Sequence, residues 1–245
     1  MAFRAIGSFL LLLALVLIAD VAAALREEAV SYDVRNAAYD TVGGRRFDTG
    51  VGRHYARRVL EVGSSDVLRL FHQTTTTASV DRKPIEAVSL LVVDRAIAGG
   101  CTLSAPDGAA RVVELSARYI ASYAGDIQDE VTGMLYRELA RVWQWDGEGR
   151  ANAGLVDGIA DLVRLRSGHS PAGWAKPGEG TRWDERSGGV TARFLEYLET
   201  NSDGFIAKLN NGLKKATSGE EMFQKITGKT VEQLWAEYKS AYGII

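Results

Sequence analysis

Apolar residues recur at helical spacing along most of the chain, and they do so most strongly in its centre. From Glu130 to Trp145, Val131, Met134, Leu135, Leu139, Val142 and Trp143 form an i, i+3, i+4 stripe, which predicts an amphipathic helix with one buried face. Asp146 to Ala153 (DGEGRANA) has turn chemistry, and Leu155 to Arg166 then resumes a helical pattern. Before this pair, Val51 to Gln73 predicts a helix with a possible break at Gly63. Ala29–Val34 is β-prone, and Glu86–Asp94 (EAVSLLVVD) and the start of Arg111–Ile120 read as strands. Gly43-Gly44-Arg45-Arg46 reads as a turn, and the Gly/Ala/Ser-rich Ala96–Asp107 and the polar Thr74–Thr77 as loops. After the central pair comes a long Ser170–Gly189 loop with two tryptophans, which either walls a ligand cleft or is an Ω-loop anchored by them. Helices are then predicted over Val190–Thr200, Phe205–Lys215 and Val231–Tyr242. The last buries Leu234, Trp235 and Tyr238, and Ser218-x-x-Glu221 and Thr230-x-x-Gln233 are capping-box signals. Strands followed by a mostly helical half make an α+β plan.

Composition narrows this picture. Met1–Ala24 carries Arg4, a short apolar run from Phe9 to Ile18 and the small residues Ala22-Ala23-Ala24, the pattern of a secretory signal peptide. Residues 25–245 are read as one domain, large enough for one core. The net charge of the 245-residue chain is −2, with no basic run, so neither nucleic acid nor a membrane surface is an expected partner. Lys208, Lys214 and Lys215 read as a solvated helix face. Cys101 is the single cysteine, which leaves no internal disulfide, and it reads as a small buried hydrophobe.

The chemistry sits on the central pair of helices. Arg137, Glu138 and Arg141 occupy the H-E-x-x-H spacing by which a helix presents two metal ligands on one face beside a general base. Arginine stands where each histidine would be, and it has no lone pair to offer a metal. Asp157 and Asp161 fall one turn apart on the second helix, where a third ligand could lie. The three histidines, His54, His72 and His169, are scattered without ligand spacing. On pattern alone, E-L-A-R is also ordinary surface-helix sequence.

Six stretches in order resemble the plant basic secretory protein family: SARYIASYAGD (116–126), GMLYRELARVWQW (133–145), GLVDGIADLVRL (154–165), WAKPGEGTRWDE (174–185), VTARFLEYLE (190–199) and GKTVEQLWAEYK (228–239). The resemblance implies a secreted, zincin-like metallopeptidase fold, a link to plant defence or stress in the apoplast, and a zinc cofactor. It also implies that Arg137 and Arg141 replace the family's histidine ligands, that Glu138 is the vestigial general base, and that Asp157 replaces a ligand glutamate. The Tyr of the family's G-Y-D segment is missing at Ser187-Gly188-Gly189. Trp143, Asp161, Trp183 and Arg193 match the family and are placed around the cleft. With both histidines gone, no metal or other cofactor is expected. Two guanidinium groups are expected to stand in for the dication opposite Glu138 and Asp157, leaving a pseudopeptidase whose retained cleft binds a peptide, a glycan or a peptidase. The alternatives are a metallopeptidase with a different ligand set, and a purely structural or storage-like protein.

Overall fold

A computed structural model describes residues 30–74, 81–106, 108–186 and 188–244. The Met1–Ala24 segment expected to be a signal peptide and Ser187 lie outside the described residues. The described residues from Tyr32 onward pack as one unit. The architecture is α+β, with a four-stranded mixed sheet and nine helices among the described residues.

The sheet comprises β1 (Ser31–Asn36), β2 (Ala87–Val93), β3 (Cys101–Ser104) and β4 (Ala110–Ser116), in the order β1-β2-β4-β3. β2 and β4 run parallel, with Leu90 opposite Val113, and β3 runs antiparallel to β4, with Leu103 opposite Val113. Alternation builds the buried face: Val88, Leu90 and Val92 on β2 are fully buried, as are Val113 and Leu115 on β4. β3 falls inside the stretch read as loop. Its sequence, CTLS, is too short to show a period, and pairing with β4 makes it a strand.

Helix α1 (Val42–Gly50) lies where a turn was expected. A Cβ on Gly43 would come within 1.7 Å of the Ala117 carbonyl oxygen, and one on Gly44 within 1.8 Å of that of Ala38. These glycines therefore serve close backbone contact within a helix rather than a reversal of the chain. α2 (Arg53–Leu70) runs unbroken through Gly63, whose missing side chain makes room for Leu139: a Cβ there would sit 2.6 Å from Leu139 Cδ1. α2 ends in a Schellman motif, with His72 N–H donating to Arg69 O (3.0 Å) and Gln73 N–H to Leu68 O (2.7 Å). His72 takes the left-handed position, at φ 54°, that glycine usually fills.

After α3 (Ala117–Ser122) come α4 (Ile127–Trp143) and α5 (Ala153–Arg166). Asp126 and Asn152 cap their N-termini by accepting from backbone N–H groups two and three residues on. Residues 167–189 contain no helix or strand among those described. α6 (Val190–Asn201), α7 (Phe205–Gly212), α8 (Glu220–Thr227) and α9 (Val231–Ala241) complete the chain. The Thr230–Gln233 capping box forms on α9. The one expected at Ser218 does not: Gly219 is the N-cap of α8 and no side chain caps it.

Candidate functional site

α4 buries the whole of its predicted stripe and Glu138 with it. α5 lies against it with Asp157 and Asp161 facing the same seam, each 5% exposed. Three contacts cross the two helices in descending order, which makes them antiparallel. Glu130 Oε2 accepts from Arg164 Nη2 at 2.7 Å, Asp161 Oδ1 accepts from Arg137 Nε at 2.6 Å, and Asp157 Oδ1 accepts from Arg141 Nη2. The result is a ladder of guanidinium–carboxylate rungs in which the acids and Arg164 are buried and Arg137 and Arg141 are half-buried. The first rung was not foreseen, because Glu130 and Arg164 sit 34 residues apart and neither falls at H-E-x-x-H spacing or at an expected ligand position.

The middle of the ladder is the Arg137–Glu138–Arg141 stretch at H-E-x-x-H spacing. Arg137 also donates from Nη1 to Glu138 Oε1 at 3.3 Å and lies 3.6 Å from Asp157 Oδ1. A third arginine joins from the loop: Arg186 Nε donates to Asp157 Oδ2 at 2.9 Å. The set is thus three arginines (137, 141, 186) against three acids (138, 157, 161), not the two-against-two balance expected from sequence. Arg186 falls just before the segment in which a tyrosine is missing. A basic residue there was the available signal, but only the path of the loop brings it to Asp157.

Burial sets the electrostatics. The Glu138 carboxyl is pushed above its ordinary value because desolvation outweighs the pull of Arg141 and Arg137. The Asp161 carboxyl moves the same way, since burial outweighs its bond to Arg137. Glu138 Oε2 and Arg141 Nε are buried without a hydrogen-bond partner. Cys101, at the start of β3, is half-buried rather than fully buried as expected, and its thiol is raised by desolvation and by the nearby Glu138, which disfavours the thiolate. Cys101, Met134, Arg137, Glu138 and Arg164 line a cavity of about 170 Å³ between the β3 end and α4. That space fits a side chain, being below the roughly 300 Å³ at which small-molecule sites begin.

The residues can be tested against a zinc ion without reference to what occupies the site. Neither guanidinium can ligate a metal, both Asp157 oxygens are taken by arginines, and one oxygen each of Asp161 and Glu138 accepts from Arg137. This donor set does not fit the two-histidine-and-carboxylate pattern.

The other residues expected around the cleft lie elsewhere. Trp143 is fully buried, with Arg82 over its ring at 4.8 Å. Trp183 packs edge-on against Phe223 at 5.5 Å. Arg193 Nε donates to Ala175 O at 3.1 Å and so ties the loop to α6. Of the histidines, His169 Nδ1 lies 2.6 Å from Asp129 Oδ1 and its ring stacks on Tyr136, while His54 and His72 sit apart on α2 and its end.

A family model described as "peptidase of plants and bacteria" matches residues 27–238. A basic secretory protease from Boswellia serrata is 46% identical over 61 residues, which cover 25% of this chain and 67% of that protein. No solved structure matches.

Proposed function

The chain belongs to the family of peptidases of plants and bacteria, and on that premise we propose that it is a secreted, zincin-type member that binds peptides without cleaving them. The observation that carries this reading is the arginine ladder. Arg137 and Arg141 stand at the two motif positions and are hydrogen-bonded to the acids that would otherwise face a metal. Secretion is supported by the name of the Boswellia protein and by the residue pattern before residue 25. A role in plant defence rests on the resemblance alone.

Hydrolysis of a peptide needs a water made nucleophilic near neutral pH and a counter-charge for the oxyanion. Glu138 is the right residue type to accept a proton. Its Oε1, however, is engaged by Arg137 and its Oε2 is sealed. We derive no step through zinc, because the residues present do not fit it.

Binding asks less. β3 is an edge strand with β4 on one side only, so its other side can pair with an extended segment. The cavity beside Cys101 and Glu138 would take one side chain of that segment. The test joins metal analysis of the purified secreted protein to peptidase and peptide-binding assays with and without chelator. Zinc far below one per chain, no chelator-sensitive cleavage and retained peptide binding support the reading. Stoichiometric zinc, lost on chelation together with cleavage, overturns it.

A further inference from the structure

The three lysines read from sequence as a solvated helix face do not stand alone in the fold. Lys208 on α7 and Lys214 and Lys215 just after it meet Lys225 of α8 around one concave site. The cavity they line measures about 700 Å³, larger than the one beside Glu138. Its other polar lining is Asn211 and Asp81. Asp81 accepts from Lys214 at 3.2 Å and from the Asn211 amide at 3.4 Å. Glu221 lies near enough to Lys225 to feel its charge, and that carboxyl is held below its ordinary value chiefly by Thr217. Lys208 and Lys215 are exposed, and no carboxylate pairs with either among the described residues. Four ammonium groups thus face one acid across a single hollow, in a chain whose net charge is −2. A local excess of one sign in a concave site concentrates ligands of the other sign.

The composition of the hollow selects the kind of anion. Among the described residues its lining includes no arginine to grip a phosphate bidentately and no aromatic ring on which a base could stack, which disfavours nucleic acid. The large exposed hydrophobic residues, Tyr39, Val42, Tyr55, Val62 and Tyr242, all lie outside its lining, so nothing there would enter a bilayer. Met222 is its apolar contribution, too little to anchor the side chains of a peptide. Flexible ammonium groups beside an amide suit closely spaced carboxylates on a hydroxyl-rich chain. We propose that this lysine hollow, apart from the arginine ladder, is a binding site for an acidic polysaccharide of the polyuronate type.

The test titrates the full secreted protein with oligogalacturonate by calorimetry at about 20 mM salt, where surface electrostatics are little screened. Binding is expected, falling away as salt rises and absent with the methyl-esterified oligomer. The triple variant K208E/K215E/K225E changes only exposed side chains. It should keep the wild-type melting temperature and bind at least about tenfold more weakly, each reversed charge removing a modest surface attraction. Arg137→Ala should bind like wild type at a temperature where it is folded, which separates this site from the ladder. Equal binding by the triple variant or by the esterified oligomer overturns the proposal, as does an absence of binding at low salt. Tighter binding of poly-glutamate than of oligogalacturonate overturns it in favour of an acidic peptide.

Discussion

Two parts of this molecule solve the same packing problem with opposite chemistry. The α4–α5 seam is bridged by three arginine–carboxylate rungs, Glu130–Arg164, Arg137–Asp161 and Arg141–Asp157. The α6–α9 cluster is aromatic. The Phe194 ring meets Phe223 at 6.2 Å, Trp235 at 5.3 Å and Tyr238 at 5.5 Å, and Phe205 closes on Phe223 at 5.6 Å. An apolar contact stabilises in proportion to its area and tolerates small shifts in angle. A buried ion pair spends most of its attraction on desolvation, but it fails when its partner is misplaced. The aromatic cluster therefore supplies stability, while the ladder supplies alignment of α5 on α4.

The comparison can be broken most directly at its apolar end. Phe194→Ala empties the centre of the cluster and should cost about 4 kcal/mol, read as a fall of roughly 8–16 °C in the melting temperature. Arg137→Ala strands Asp161 and leaves Glu138 without its hydrogen-bond donor, and Arg141→Ala removes the hydrogen bond to Asp157 Oδ1 while Arg186 still holds Oδ2. Because both arginines are part-exposed, each should cost about 2–3 kcal/mol, toward or below the lower end for a broken buried pair. A sharper form is the double change Arg137→Met with Asp161→Leu. If the ladder serves alignment, thermal melts should show the apolar rung recovering most of the stability lost in Arg137→Ala. Unchanged melts for Arg137→Ala and Arg141→Ala together would remove the ladder from the account.

A smaller effect separates buried from exposed acids by the sign of their pH dependence. Glu138 and Asp161 have raised folded values, so the folded state takes up protons before the unfolded chain does. Their contribution is most favourable at low pH and is lost as pH rises through those raised values. Glu185 in the loop is the reverse. The backbone N–H groups of Arg182 and Thr181 hold it low, so its contribution is present above its unfolded value and is lost as pH falls through the folded one. Denaturant melts should therefore show Glu138→Gln at least as stable as wild type at pH 7, with its advantage shrinking toward pH 4. Glu185→Gln should be less stable at pH 7, with its deficit shrinking over the same range. The smallest change lies just past the C-terminal end of α2, where His72 packs near Gly204. His72→Gly relieves a left-handed residue and should raise stability by about 0.5–1 kcal/mol in the same melts.

Much of the site could be read in advance. Arg137, Glu138 and Arg141 at motif spacing, and Asp157 and Asp161 one turn apart, are local facts of helix geometry, and the fold brings all five together. Glu130–Arg164 and Arg186–Asp157 could not be read, because each joins ordinary residues from distant segments.

What the sequence by itself determined is whatever repeats within a few residues: the buried stripe of α4, the alternation of β2, the Thr230 cap, and the placing of Arg137, Glu138 and Arg141 on one turn of a helix. What only the tertiary structure decided is what the rest of the chain brings near. Ala117 and Ala38 press on Gly43 and Gly44 and turn an apparent reversal into a helix. β4 makes a strand of Cys101–Ser104, and α8 carries Lys225 to the lysines of α7. The physical reason is range. Backbone geometry and side-chain chemistry act over one or two turns, whereas close approach, desolvation and charge pairing depend on neighbours that the core alone selects.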